Sequence, residues 1–478
     1  MLFNSFIFFI FLGIVLPVFY LLPSKKSKNI FLLIASYFFY GYWDWRFCSL
    51  LAISTIADFT IGKYLYITTK EKSRKLLLIL SLLINLGILG FFKYFNFFTE
   101  SFKTIFNAVG FNADFLHLNI ILPVGISFYT FQTLSYTLDI FRKRLKPTKN
   151  FIDFALFVSF FPQLVAGPIE RAKNLLPQLA NKLRPSKQQM KEGVVLIVFG
   201  LFRKVMIGDT AGRYVDHIFG NPELYMSFEL ISALILFSIQ IYADFSGYSH
   251  IARGTAKLLG VELMKNFEQP YLSRNITEFW RRWHISLSSW LKDYLYISLG
   301  GNRKGKHRMY LNLMVTMLLG GLWHGASWNF VIWGGLHGLF LAIHKLYISN
   351  RKIDSSNIKL SDTKHWFSLG FKILLTNILV LITWLFFRIS DMETLSVYIY
   401  GVFNWQGSDY TLRFILIILT YSLVTFLFDF CEYFSGKHTY LLNLKNKYVV
   451  VTTLIVMFVI TLVYLAQSEP LPFVYFQF

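Results

Sequence analysis

Long apolar runs broken by short basic clusters set the pattern of this chain. The first clusters are Lys25/Lys26/Lys28, Lys70/Lys72/Arg74/Lys75 and Arg142/Lys143/Arg144/Lys146/Lys149. A membrane-crossing helix needs about 20 apolar residues, and Lys and Arg collect on the cytoplasmic side. Leu2–Leu22 therefore reads as a first span. Ile30–Tyr42 and onward, then Phe47–Thr68, read as an out-and-back pair joined by an interfacial aromatic turn, Tyr42-Trp43-Asp44-Trp45. Leu76–Phe98 and Ile120–Ile140 form the next pair. This alternation places the N-terminus on the extracytoplasmic side.

Phe151–Ile169 breaks the rhythm. It is about one span long, yet basic residues flank both ends: Lys149 before it, and Arg171, Lys173, Lys182, Arg184 and Lys187 after it. It also contains Pro162, Gly167 and Pro168. A re-entrant element fits this better than a crossing, because broken backbone at membrane depth needs protein or a water-filled cavity around it. Beyond the mostly basic stretch Lys345–Lys364, Phe367–Phe387 crosses outward to an acidic loop holding Asp391, Glu393 and Asp409. Phe414–Phe430 returns to Lys437, Lys445 and Lys447, and Val449–Leu465 crosses out again. The tail 467–478 is then extracytoplasmic. The pattern predicts an all-α polytopic membrane protein of roughly 11 spans plus re-entrant and interfacial helices. It shows no internal repeat and no soluble linker domain, so residues 1–478 read as a single membrane domain.

Composition agrees. Hydrophobic residues make up 55% of the chain, aromatics 19% and charged residues only 15%, where soluble proteins carry about 25% charged residues. The net charge of +21 has two readings: cytoplasmic loop bias, or attraction of an anionic substrate such as a phosphate-bearing acyl carrier. Nucleic acid does not fit, since the basic residues lie between apolar spans and not on a soluble face. Cys48 and Cys431 offer no disulfide framework. Leu2–Leu22 lacks a basic n-region and a small-residue cleavage site, so no cleavable signal is expected.

The stretch from Tyr242 to Lys345 concentrates polar groups that are costly in lipid, and such groups line cavities or interfaces. Within Tyr271–Ser298, Ile276, Phe279, Trp280, Trp283, Leu287, Trp290, Leu291 and Tyr294 recur at helical spacing. This predicts an amphipathic helix, or two short ones, in the cytoplasmic interface, with His284 beside the tryptophan stripe. A lone histidine there can be a polar tip reaching water or a site residue. The basic loop Asn302–Arg308 can meet acidic lipid headgroups or carrier phosphates. Farther on, Gly320-Gly321-Leu322-Trp323-His324-Gly325-Ala326-Ser327-Trp328-Asn329-Phe330 and Trp333-Gly334-Gly335-Leu336-His337-Gly338 set histidines among glycines and tryptophans. Glycine permits close approach, and tryptophan can wall a pocket and donate one hydrogen bond. His324 and His337 fall about 220° apart round an ideal helix. With no HxxxH-plus-carboxylate or cysteine set, metal binding is not expected. A histidine can take a hydroxyl proton near neutral pH, or serve as a helix-bonding or pore-facing group.

Four stretches resemble the membrane-bound O-acyltransferase family, in its bacterial branch that contains the alginate O-acetyltransferase membrane subunit. They are Phe161–Ile169 (FPQLVAGPI), Tyr242–Ser249 (YADFSGYS), Phe279–Ser288 (FWRRWHISLS) running on to Asp293-Tyr294-Leu295-Tyr296, and Gly321–Gly325 (GLWHG). The resemblance covers most of the chain and is densest from about 160 to 345. It implies a funnel-like core and a catalytic pair, His324 deep in the membrane and His284. Trp323, Trp328, Asn329, His337 and Asp244 become expected pocket residues. An acyl thioester donor, acetyl-coenzyme A foremost, is expected, with no permanently bound cofactor and no metal. Arg281, Arg282, Arg303, Lys304, Lys306 and Arg308 are then candidate contacts for its phosphates. After Gly-Tyr-Ser the family usually has an acid where this chain has His250; if that acid orients a partner group, the group is oriented differently here. The terminal Phe473-Val474-Tyr475-Phe476-Gln477-Phe478 resembles a C-terminal motif of the branch in which the tyrosine is an acyl relay. An interfacial aromatic anchor is the other reading of Tyr475. An extracytoplasmic SGNH-type partner and a polysaccharide acceptor are implied, with alginate-like polymer, peptidoglycan and teichoic acid all open, at a bacterial inner membrane. The rival classes are a transporter with a histidine proton relay and an envelope scaffold.

Overall fold

The computed structural model describes residues 1–111, 117–165, 167–181, 183–349, 363–469 and 471–476. Lys182, much of the 345–364 stretch, and Gln477 and Phe478 lie outside the described residues. Among the described residues the chain is helical with no strand. Two compact units emerge: Met1–Phe199 with Tyr248–Met264, and Gly200–Gly247 with Lys265–Phe478.

The first unit holds α1 (Phe6–Leu21), α2 (Lys25–Gly41), α3 (Cys48–Ile67), α4 (Glu71–Leu89), α5 (Phe95–Ala108), α6 (Ile126–Phe141), α7 (Phe151–Ser159), α8 (Phe161–Leu164) and α9 (Ala172–Ala180), with most of α10 (Lys187–Phe202). The expected crossing at Ile120–Ile140 shortens to α6. Gly125, at φ +76°, starts the helix, and a Cβ there would sit 2.9 Å from the Leu164 carbonyl oxygen. The broken character expected of Phe151–Ile169 is present as α7 and α8, interrupted at Phe160 and buried from Asp153 to Leu164. A buried polar knot ties α3, α4 and α6. Ser81 and Asn85 donate to Asp58 at 2.6 and 2.9 Å, and Thr133 donates to Asn85 Oδ1 at 3.2 Å. Burying a carboxyl among lipid-facing helices is tolerable only with such donors in place.

The second unit begins with the end of α10. It continues through a π-helical segment, Arg203–Asp209, and α11 (Thr210–Gly220), then most of α12 (Ser227–Leu258). There follow α13 (Ile276–Arg282), α14 (Ile285–Trp290), α15 (Lys306–His324), α16 (Trp328–Ser349), α17 (Thr363–Arg388), α18 (Met392–Phe403), α19 (Thr411–Ser435) and α20 (Lys447–Gln467). Seven described helices are long and apolar enough to cross a membrane: Trp45–Ile67, Glu71–Ala108, Ser227–Leu258, Trp328–Ile348, Phe367–Arg388, Thr411–Ser435 and Lys447–Gln467. The other crossings read from hydropathy are shorter helices, such as Phe6–Leu21. Hydropathy registers apolar length, and a helix buried inside the protein carries the same signal as one facing lipid.

Glycine makes the α15–α16 hairpin possible. A Cβ on Gly321 would lie 2.1 Å from the Phe330 carbonyl oxygen, and one on Gly334 would lie 2.3 Å from the Met317 carbonyl oxygen. These neighbours are backbone and cannot rotate away. Gly321→Ala is therefore expected to destabilise the protein by about 1–3 kcal/mol through overpacking. Gly335→Ala meets only an ordinary 3.4 Å contact with Leu318 and should be near neutral. Thermal unfolding of the detergent-solubilised protein compares the two, and equal midpoints would refute the packing argument.

Candidate active site

His324 is the last residue of α15. The chain then turns extended at Gly325, where a Cβ would overlap the Phe330 ring at 2.1 Å. This stop leaves the imidazole 4% exposed. Around it stand Trp323 at 5.0 Å, Trp333 at 4.9 Å and Phe387 at 5.3 Å between ring centroids.

His284 occupies the break between α13 and α14. Its φ of +42° is a left-handed conformation that costs energy for a residue with a Cβ. The segment is two short helices rather than one amphipathic rod. The break turns His284 inward to 0% exposure, so it is no polar tip reaching water. Asn266 explains how the turn is held. Its Oδ1 accepts from Ser286 N at 3.2 Å and Ser286 Oγ at 2.9 Å, and faces His284 Nδ1 at 3.1 Å. An amide oxygen can only accept, so Nδ1 carries the proton and Nε2 is the basic nitrogen of the ring. Burial pushes the His284 pKa down to about 3, which keeps the ring neutral.

Tyr475 arrives from the far end of the chain. Its ring centroid lies 5.4 Å from His324 and 6.4 Å from His284, and the two histidines are 6.4 Å apart. Phe245 of α12 packs against both His284 and Tyr475, at 4.6 Å each. Three residues singled out from separate motifs thus share one aromatic-walled cluster within the second unit. The Tyr475 hydroxyl and the Trp333 indole N–H are buried without a hydrogen-bond partner among the described residues.

The other expected pocket residues divide. His337 is locked. Trp280 Nε1–H donates to its Nδ1 at 3.2 Å, so its Nε2–H donates to Thr383 Oγ1 at 3.0 Å, and that hydroxyl donates to the Val380 carbonyl at 2.7 Å. Both nitrogens serve a structural chain, and the ring supports Trp280 and Trp333, 5.1 and 4.7 Å away. Trp323 walls the cluster. Trp328 does not; it is 55% exposed. Asn329 donates to the Ile389 carbonyl at 2.6 Å and the Asp391 carbonyl at 3.2 Å, joining α16 to the end of α17. Asp244 meets the tail backbone, accepting from Val474 N–H at 2.7 Å. His250 is buried in the first unit.

Two clefts open nearby in the second unit. One, of ≈ 560 Å³, is lined by Lys265, Glu268, Arg274, Glu278, Arg281 and Arg282 among others. Burial alone would raise the Glu278 carboxyl. Hydrogen bonds from Arg274 outweigh it, with the charge of Arg282 adding, and hold the group below the usual carboxylate range. The other, of ≈ 510 Å³, has an apolar floor of Trp280, Leu291, Leu313 and Met317 and cations Arg281, Lys292 and Lys345. Its Trp280 touches Trp333 at 5.8 Å, which in turn touches His324. Arg281 is common to both clefts. Arg303 and Lys304 stay on an exposed turn, Lys306 and Arg308 on the exposed start of α15, and the four line neither cleft.

Sequence reasoning missed the ionic supports. Arg203 bridges Glu432 at 2.8 Å and Asp429 at 3.4 Å, and Lys204 bridges Asp209 at 2.6 Å and Asp244 at 2.8 Å, all buried. Charged residues inside the apolar run Val194–Ile207 were the available signal. Asn266 carried none.

The described residues form a polytopic helical membrane protein, and this chain belongs to the membrane-bound O-acyltransferase family, whose model matches residues 34–390. It is an O-acyltransferase and a multi-pass membrane protein. The chain is 40% identical over 415 residues to the "Probable alginate O-acetylase AlgI" of Pseudomonas putida, covering 86% of this chain and 82% of that protein. It is 40% identical to the same-named protein of Pseudomonas aeruginosa, over 84% and 75% of the two chains. It is 35% identical to the peptidoglycan O-acetyltransferase of Helicobacter pylori, over 85% and 80%. These relatives place it in the alginate O-acetylase-like branch of the family.

Proposed function

We propose that this protein carries an acyl group, acetyl in the first instance, from a cytoplasmic thioester to hydroxyls of an extracytoplasmic polysaccharide, with His324 as general base. The observation that supports this most is the meeting of His324, His284 and Tyr475 in one buried cluster. The acceptor class follows the relatives, one named for alginate and one for peptidoglycan. Basic clusters between the spans favour extracytoplasmic termini in a bacterial inner membrane. The large, charged carrier then stays on the side it came from while only the acyl group crosses.

In this reading the thioester arm enters the cleft floored by Trp280 and Met317, and Arg281, Lys292 and Lys345 attract its phosphates. His324 takes the Tyr475 hydroxyl proton as the phenolic oxygen attacks the thioester carbonyl. The Trp333 N–H is the donor for the developing oxyanion. The C–S bond breaks, and the thiolate leaves with the proton that His324 returns. An acceptor hydroxyl then attacks the tyrosyl ester with the same base. An SGNH-type partner outside the membrane would pass the group to the final polymer. His284 acts through its Nε2 as an acceptor that orients the reacting hydroxyl.

Vesicles holding the purified protein, given acetyl-coenzyme A with a labelled acetyl group, are expected to acquire the label on Tyr475 by mass spectrometry. Intact thioester and unlabelled protein would remove this reading. Arg281→Glu should raise the KM for acetyl-coenzyme A by about tenfold, the equivalent of 1.4 kcal/mol, with kcat little changed. An unaltered KM would remove Arg281 from donor binding.

A further inference from the structure

The tail reaches His324 without a long helix of its own to steer it. Residues 471–473 are non-helical, and Val474–Phe476 form a single 3-10 turn. Something outside the tail must hold its backbone if the Tyr475 hydroxyl is to meet the imidazole reproducibly.

The π-helical segment supplies it. Lys204 and Asp209 are five positions apart, which on an ordinary α-helix would point them about 140° away from each other. The wider turn of Arg203–Asp209 instead brings Lys204 Nζ to 2.6 Å from Asp209 Oδ1. The same ammonium lies 2.8 Å from Asp244 Oδ1 and donates to the Pro472 carbonyl at 3.4 Å. The other oxygen of Asp244 accepts the Val474 N–H at 2.7 Å. Gly208 lets the segment press onto α12 here, since a Cβ would lie 3.1 Å from the Asp244 amide nitrogen. Gly212 gives Leu471 its place, with Leu471 Cδ1 3.2 Å from where a Cβ would be. Lys204 and Asp244 are each only 1% exposed at the side chain.

We infer that Lys204 and Asp244 form a buried clasp that grips the C-terminal tail by its backbone on either side of Phe473 and thereby positions Tyr475. Neither is a catalytic residue; the ammonium and carboxylate bind Pro472 C=O and Val474 N–H. Because both partners are main-chain groups, the grip is independent of tail side chains, which are left for the aromatic wall. Phe473 packs on Phe245 at 5.2 Å, the same ring that touches Tyr475. The consequence for activity rests on the relay reading of Tyr475; the grip itself does not.

The test uses the full-length protein in detergent or vesicles and reads amide hydrogen exchange by mass spectrometry. Asp244→Asn replaces one of the two acceptor oxygens, which face the ammonium and the Val474 N–H separately, by an NH2 group that can only donate. Asp244→Asn should therefore speed exchange of the C-terminal peptide at least tenfold, leaving peptides of α15 and α16 unchanged. Val474→Pro removes the N–H alone, at the first position of a helical turn where proline is tolerated. It should loosen the tail in the same way, and it carries the test if Asp244→Asn fails to fold. Unchanged tail exchange in either folded variant would overturn the clasp. For the activity half, Asp244→Asn should lower kcat at unchanged donor KM, and should cause no added loss in a Tyr475→Phe background. A further loss in that background would show Asp244 acting elsewhere, and would overturn positioning through Tyr475 even where the tail has loosened.

Discussion

His324→Ala should lower O-acylation of the cell-surface polymer by about 10²–10⁴-fold, the usual range for removing a general base. The loss should appear in kcat, because donor contacts in the neighbouring cleft come from Arg281, Lys292 and Lys345. His324 is nearly buried among Trp323, Trp333 and Phe387, so truncation also leaves a void. His324→Gln keeps most of the volume and removes only the titratable nitrogen, and it should be equally inactive. Acylation is read as ester released from the polymer by mild alkali, normalised to protein level. Substantial acylation in either variant at normal abundance would end the assignment of His324 as base.

Tyr475→Phe is the second large effect, and it separates relay from anchor. The hydroxyl is buried without a partner among the described residues. Deleting a buried, unpaired polar group is neutral or stabilising, while the ring contacts with Phe245, Phe387 and His324 persist. A relay predicts loss of acylation by about 10²-fold or more at an unchanged or raised unfolding midpoint. An anchor predicts unchanged acylation at that same midpoint. Full activity in Tyr475→Phe would refute the relay, since phenylalanine keeps the interfacial ring and lacks only the nucleophile.

His324, His284 and Tyr475 were singled out through the motifs that resemble the family; on spacing alone each kept a structural reading beside the functional one. Trp328 and Asn329 were drawn into the pocket by adjacency to His324. Yet α15 ends at His324 and α16 starts at Trp328, so the chain reverses between them and proximity in sequence ceases to mean a shared face. His337 lies on the correct side, but both its nitrogens are committed to Trp280 and Thr383. Spacing carries no information about what a ring nitrogen will meet. Of the two readings of Tyr271–Ser298, the structure has the two short helices, but the stripe could not place the break at His284, because it satisfies helical periodicity on both sides of it.

Hydropathy and charge along the chain were enough to determine a helical membrane protein, the approximate spans and the broken element at Phe151–Leu164, because lipid solvation acts on each segment in turn. The four motifs were enough to point to the transferase family. Which of the polar residues meet was decided only by packing. The Lys204–Asp209–Asp244 clasp and the Asn266 hold on His284 join residues from different helices or from opposite sides of a turn. Their stability comes from mutual burial, a many-body property of the folded helices that no single stretch of sequence possesses.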